Sequence, residues 1–201
     1  MSILALELSS AVGSIAWRAA DGATVVRQFP ADRQHSGLFF ENLAELRESY
    51  GLPEKIVVGL GPGSYAGTRI AIATALGLRA ANGAELVGLP SICAIDRPVY
   101  GIVGDARRSS YFFAEVRAGS CVEGPTLLNG DELRVKMKER AELSFVAAGP
   151  LPGFPEIAVA YPSAAFLAAL GENAASTEEI LEPIYLRPPY ITKPKATPWI
   201  R

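Results

Sequence analysis

The chain has 201 residues, of which 49% are hydrophobic and 20% charged, and its net charge at pH 7 is −2. This composition predicts one large or two small globular domains, and it argues against disorder and against nonspecific nucleic-acid binding by this chain alone. No segment approaches the roughly 20 apolar residues that span a bilayer, no leader pattern precedes the first strand, and the two cysteines are far apart in sequence, so we expect a cytoplasmic protein without membrane contact.

The first half of the chain has the pattern βββαβαβ. An Asp21-Gly22 turn, typical of a hairpin, separates the second strand from the third. The predicted strands cover residues 3–8, 12–18, 23–29, 55–60 and 85–87, and the predicted helices cover 36–50 and 65–81.

A comparable order begins again after residue 98. It comprises predicted strands at 99–103, 110–117, 121–127 and 143–148, and helices at 130–140 and 162–170. We therefore predict a duplicated α/β architecture with an N-terminal domain at 1–97 and a smaller C-terminal domain at 98–201. The C-terminal domain closes with a segment that contains five prolines, and we expect this segment to be an extended tail.

A glycine-rich turn between the fourth strand and the second helix is the most distinctive motif. The residues of this motif that could bind a phosphate or another anion are Gly61, Gly63, Ser64, Gly67 and Arg69. A strand, a glycine turn and a helix present backbone N–H groups that suit a phosphate. The spacing fits neither the dinucleotide fingerprint nor the P-loop, which has a lysine that is absent here, so a structural turn with positive φ is the favoured interpretation.

The helix after this turn has apolar or small side chains on nearly every face. A helix of this kind needs cover on all sides, which in a chain of this length indicates that a second protein covers one side. Its small-residue stripe consists of Ala66, Ile70, Ala73, Gly77 and Ala80, which permit close approach of another helix.

The single histidine, His35, limits the possible chemistry. A metal site built on paired histidines is excluded, and we predict no metal site. A peptidase with Ser36 or Ser64 as nucleophile lacks a convincing base and orienting group, so it ranks last. Cys93 lies in an apolar run that predicts a buried, inert thiol.

Several segments together resemble the TsaB (YeaZ) family of bacterial proteins over nearly the whole chain. They are Ile3-Leu4-Ala5-Leu6-Glu7-Leu8-Ser9-Ser10, His35-Ser36, the glycine turn from Gly61 to Ile70, Asp105-Ala106-Arg107-Arg108 with Tyr111, and Pro183-Ile184-Tyr185-Leu186-Arg187. The glycine motif and the Asp-Ala-Arg segment, taken together, are specific to this family.

The resemblance implies two tandem domains similar to sugar kinases, heat-shock ATPases and actin, with the second domain small and degenerate. It implies a subunit without chemistry of its own in the synthesis of threonylcarbamoyladenosine on tRNA. The implied partners are the catalytic paralogue TsaD and the ATPase TsaE; tRNA is contacted only through the complex, and the chain alone forms a homodimer. The resemblance implies no cofactor of the chain's own and leaves open ADP or ATP at the interface with TsaD.

The partner surface that we predict combines the first two helices. Its residues are His35, Phe39, Phe40, Leu43, Ala66, Ile70, Ala73, Gly77 and Ala80. Packed against an equivalent pair of helices, they would form a four-helix bundle. For Leu43, packing against the chain's own sheet is the favoured interpretation, and His35 is also compatible with a surface or capping role.

The alternative hypothesis is a small actin-like phosphotransferase or ATPase that acts alone. Glu7-Leu8 stands where the family usually has Asp-Thr, and in catalytic relatives an acidic residue on this strand helps to handle a metal–nucleotide. The longer acid, the lost hydroxyl and the missing P-loop lysine all weaken the enzymatic hypothesis.

Overall fold

Two five-stranded sheets of the same topology form the framework of the computed structural model, which describes residues 1–31, 36–177 and 180–187. The first sheet has the spatial order β3-β2-β1-β4-β5, with β1 antiparallel to β2 and parallel to β4. Its strands are β1 (Ile3–Glu7), β2 (Val12–Arg18), β3 (Thr24–Pro30), β4 (Lys55–Gly59) and β5 (Glu85–Leu89).

The second sheet repeats this arrangement with the order β10-β9-β6-β7-β8. Here β6 is antiparallel to β7 and parallel to β9, as β1 is to β2 and β4 in the first sheet. Its strands are β6 (Val99–Asp105), β7 (Ser110–Arg117), β8 (Ser120–Asn129), β9 (Phe145–Ala147) and β10 (Ala158–Val159). The repeated topology confirms the predicted duplicated α/β architecture.

Within the described ranges, four α-helices cover these sheets. They are α1 (Ser36–Tyr50), α2 (Tyr65–Asn82), α3 (Gly130–Glu139) and α4 (Ala164–Gly171). The predicted bounds of α1 are confirmed and those of α2 differ by one residue. A short 3-10 turn at Ser91–Cys93 and the two-residue strand β10 were not predicted, because such short elements have no sequence periodicity of their own.

The first sheet is buried on both faces. The helices α1 and α2 pack on one face, where Leu6 and Ile15 contribute to the core, and α4 packs on the other face against Ala5 and Val57. Burial on both faces explains why β1 and β4 are apolar without alternation. The helix α4 therefore belongs in space to the first sheet, although it follows the second sheet in sequence. The domain division at residues 97 and 98 stays a prediction.

Lys55 anchors the end of α4 to β4. Its side chain is 4% exposed, and its Nζ donates to the carbonyl oxygens of Gly171, Glu172 and Ala174 at 3.3, 3.2 and 3.1 Å. The same atom lies 3.3 Å from a carboxylate oxygen of Glu85. A lysine can be buried here because carbonyl dipoles at a helix C-terminus and a carboxylate surround its charge.

We expect Lys55→Met to lower the free energy of unfolding by about 2–4 kcal/mol, because three buried carbonyl groups lose their common donor. Urea unfolding followed by circular dichroism measures this loss. Lys138→Met on the exposed side of α3 is the matched control and should change stability little. Equal stability of the two variants would contradict the anchoring role.

Among the residues that the structure describes, no helix combines the length and apolar character needed to cross a membrane.

Candidate functional site

Three of the sequence motifs meet at one cleft of about 950 Å³. One wall is formed by the glycine turn and the first residues of α2, and another by Asp105, Ala106 and Arg107 after β6. The closing segment at residues 183–187 forms a third wall, and apolar side chains such as Phe29 and Phe112 line the interior. Residues that are far apart in sequence thus line one cavity between the two sheets.

Hydrogen bonds on both sides hold the glycine turn in place. Gly61, at φ +86°, donates from its N–H to the Ser91 hydroxyl at 3.0 Å, and its carbonyl accepts from the Ser91 N–H at 2.8 Å. The Ser64 N–H donates to the Ser9 carbonyl at 2.6 Å. The Ser64 hydroxyl caps α2 by accepting from the Gly67 N–H at 3.2 Å.

Gly63 and Gly67 are needed because the turn packs directly on the backbone of the β1–β2 turn. A Cβ atom on Gly63 would lie 2.1 Å from the Ser9 carbonyl oxygen, and one on Gly67 would lie 2.1 Å from that of Leu8. Carbonyl oxygens thus fill the positions where side chains on these two glycines would begin. The three N–H groups of the turn that donate within the chain, as described above, are not free to bind a phosphate.

Arg69, the cation that we predicted for an anion site, interacts with Tyr65. Its guanidinium donates to the Tyr65 hydroxyl and lies 4.8 Å from the centre of the same ring. The Tyr65 ring is in turn 5.8 Å from that of Tyr185 in the closing segment. These contacts place Arg69 on the outer rim of the cleft and away from the backbone amides of the turn.

The loop after β6 forms the opposite rim. Asp105 accepts from the Arg107 N–H at 2.7 Å, and its second oxygen is 3.8 Å from the Arg107 guanidinium, which is 89% exposed. Arg107, Arg108 and Ser109 all have positive φ, between 54° and 66°. Three successive left-handed residues other than glycine are energetically unfavourable, so the surrounding structure must hold this loop in place.

The small-residue stripe of α2 faces solvent. Ala66, Ile70, Ala73, Gly77 and Ala80 are all exposed, and no atom lies within 4 Å of a Cβ built on Gly77. The opposite side of α2 covers the first sheet through Ala71, Ile72, Ala75 and Leu78. The helix therefore has one face in the chain's own core and a second, largely apolar face that the chain itself leaves uncovered.

Two residues of the predicted partner surface lie elsewhere. Phe39 is 3% exposed and Leu43 is 7% exposed, and both belong to the core between α1 and the first sheet. Both residues are on the side of α1 that faces the sheet, which agrees with the interpretation favoured for Leu43; a contact of either residue with a partner stays a prediction. Phe40 is 52% exposed beside Phe39, and His35 lies outside the described residues.

The hydroxyl of Ser64 has a structural role, since it caps α2, and this weakens its assignment as a nucleophile. Burial raises the pKa of the Cys93 thiol to about 11, as expected for the predicted inert thiol. Sequence reasoning missed Ser91, which lies in the 3-10 turn after β5 and bonds to Gly61 of the glycine turn. Its only signal was a serine that follows the Leu89-Pro90 pair at the end of a strand.

We expect Gly67→Ala to destabilise the fold by about 1–3 kcal/mol, because the added methyl group overlaps the Leu8 carbonyl and forces the two turns apart. Gly77→Ala in the same helix is the matched control. It has free space, so it should stabilise the chain by about 0.5–1 kcal/mol through helix propensity. Thermal and urea unfolding would measure both, and the same sign for the two variants would contradict this packing.

The sequence matches no protein-family model. It is 31% identical over 152 residues to the uncharacterized protein ML0378 of Mycobacterium leprae, a match that covers 72% of this chain. The chain spans 40% of the length of that relative.

Two solved structures are similar over most of their length. One is an uncharacterized protein with similarity to peptidase YeaZ from Pseudomonas aeruginosa, with a TM-score of 0.76, 21% identity, and coverage of 92% of this chain and 99% of that one. The other is YeaZ from Pseudomonas aeruginosa, with a TM-score of 0.70, 19% identity, and coverage of 86% and 91%.

These similarities establish the fold as that of the YeaZ structures, and they agree with the topology of the two sheets. The glycine turn, the Asp105 segment and the closing segment lie together at the cleft as one constellation. Three of the segments that resemble the TsaB (YeaZ) family in sequence thus lie together in a fold that the YeaZ structures share.

Proposed function

We propose that this chain is a non-catalytic partner subunit of the TsaB type, which binds and activates the catalytic paralogue TsaD in tRNA threonylcarbamoyladenosine synthesis together with the ATPase TsaE. The observation that carries this proposal is the uncovered face of α2. Four large apolar side chains of α1 and α2, those of Phe40, Tyr65, Ile70 and Leu76, are between 36% and 59% exposed.

This surface has the chemistry of a helix-packing interface. Small side chains project from this face of α2, at Ala73, Gly77 and Ala80. They allow the axis of a second helix to approach to the usual distance of about 8–10 Å. Large side chains on both sides of this stripe supply the apolar area. An uncovered apolar face of this kind is costly in water, so we propose that it pairs with a second copy of the chain when TsaD is absent.

The alternative function, an actin-like phosphotransferase or ATPase acting alone, has less support. Such an enzyme would bind phosphates through the N–H groups of the glycine turn, but those of Gly61, Ser64 and Gly67 donate within the chain. Any ADP or ATP would therefore bind outside this turn, at the interface with TsaD. In the proposed role the protein acts in the cytoplasm and contacts tRNA only through the complex.

We expect Ala73→Glu to abolish both self-association and TsaD binding, because it places a charge in the centre of an apolar contact. Light scattering and analytical ultracentrifugation measure both. Val135→Glu on α3 is the matched control, since Val135 is also an exposed apolar residue but belongs to a different helix. Unchanged association of a correctly folded Ala73→Glu variant would refute the interface.

Catalysis in a reconstituted mixture separates a scaffold from a subunit that contacts the substrate. Ser64→Ala removes the cap of α2, and Arg69→Ala removes the contact with Tyr65. If both act through α2, they should weaken TsaD binding, by about fivefold to tenfold for the cap lost in Ser64→Ala, and excess protein should restore the modification rate. A rate deficit that persists at saturation would show that this subunit contributes more than binding.

A further inference from the structure

The carboxyl group of Glu7 lies fully buried at the point where three loops of the first sheet meet. Its Oε1 accepts from the Ser9 N–H at 2.6 Å, and the Ser91 side chain lies beside the carboxyl. A Cβ atom on Gly59 would lie 1.9 Å from Glu7 Oε2 and 2.6 Å from the Ser91 hydroxyl oxygen. Both groups therefore pack on the bare Cα of Gly59.

Each of the two serines next to this carboxyl also holds the glycine turn. The Ser9 carbonyl accepts from the Ser64 N–H, and Ser91 bonds to both the N–H and the carbonyl of Gly61. Ser64 then caps α2. A continuous path of short contacts thus leads from Glu7 through the two turns to the first residues of α2.

The surroundings of Glu7 differ from those of Glu115, which is also buried. Glu115 has Arg117 at 2.5 Å and Arg140 at 3.5 Å, whereas no cation among the described residues is paired with Glu7. None of the described residues forms a hydrogen bond with Glu7 Oε2. A buried carboxylate without a cation is strongly unfavourable, which favours the neutral acid.

We infer that Glu7 is a positioning residue, which acts as a neutral carboxylic acid to hold the glycine turn and, through it, the N-terminal end of α2. In this role, Glu7 at the end of β1 joins the loops that contain Ser9 and Ser91 and does not hold a metal–nucleotide. The last step, from the turn to a partner on α2, rests on the proposed function. The steps from the carboxyl to the turn do not depend on it.

This inference predicts a specific dependence of stability on pH. Burial raises the pKa of Glu7 above its ordinary value, more than the hydrogen bonds from Ser9 and Ser91 lower it, and no charged group contributes to the shift. As pH rises above the ordinary value, the unfolded chain releases this proton while the folded chain keeps it. Stability therefore falls with rising pH until the raised pKa is passed, and it is greatest below the ordinary pKa.

Glu7→Gln tests the neutral form directly, because the amide has nearly the same shape and cannot ionise. We would measure urea unfolding between about pH 5 and 9, a range that begins just above the ordinary pKa of a glutamate. The variant should be close to wild type at the acidic end. Relative to wild type, its folding constant should rise by up to about tenfold per pH unit until the native pKa is reached.

Glu115→Gln is the matched control and should behave in the opposite way. It leaves Arg117 and Arg140 without their shared carboxylate, so it should be less stable than wild type across this pH range. A Glu7→Gln variant that is destabilised by the same extent at every pH would overturn the neutral assignment.

The positioning role has a second readout in partner binding. Glu7→Ala removes the link between the turns and should weaken TsaD binding, whereas Glu7→Gln should restore it. If Glu7→Ala folds and binds TsaD as tightly as wild type, the step from the turn to α2 is refuted. If wild type itself does not bind TsaD, the proposed function fails, and the pH dependence of unfolding still decides the role of Glu7 in the turn.

Discussion

The packing of the glycine turn on the β1–β2 turn is the contact on which the rest of this structure depends. The hydrogen bond of 2.6 Å between the Ser64 N–H and the Ser9 carbonyl joins the two turns. The bare Cα atoms of Gly63 and Gly67 allow the backbones to approach as closely as they do. This contact fixes where α2 begins, and so it fixes which residues of α2 face the sheet and which face solvent.

The same contact determines what the glycine turn can bind. A glycine turn before a helix binds a phosphate through free backbone N–H groups. In this chain three N–H groups of the turn, those of Gly61, Ser64 and Gly67, donate to groups of the chain itself. The glycines allow close packing of the two backbones, and the helix that follows exposes small and apolar side chains.

Two elements that follow the second sheet in sequence pack on the first sheet and so join the two. The helix α4 follows the second sheet but packs on the first, where the Ser14 hydroxyl accepts from the Ala164 N–H at 2.9 Å and Lys55 binds the other end of the helix. Beyond it, the Ile184 N–H donates to the Leu60 carbonyl at 2.8 Å. This bond holds the closing segment at the cleft, next to the glycine turn.

The sequence by itself determined most of the elements and the repeated order of the sheets. Apolar runs in β1 and β4, the hairpin signal at Asp21-Gly22 and the periodicity of α1 are local, so propensity and pattern were sufficient. The glycine spacing also indicated, without coordinates, that the turn is not a P-loop. Only the tertiary structure decided what packs against the glycines, because Leu8 and Ser9 reach them from a distant part of the sequence. The position of Phe39 in the core and of Phe40 at the surface was likewise decided by the angle at which α1 meets the sheet, which an apolar pair in sequence does not specify. The burial of Glu7 beside Ser91 followed from the meeting of three loops, and long-range packing of this kind leaves no periodic signal in a single sequence.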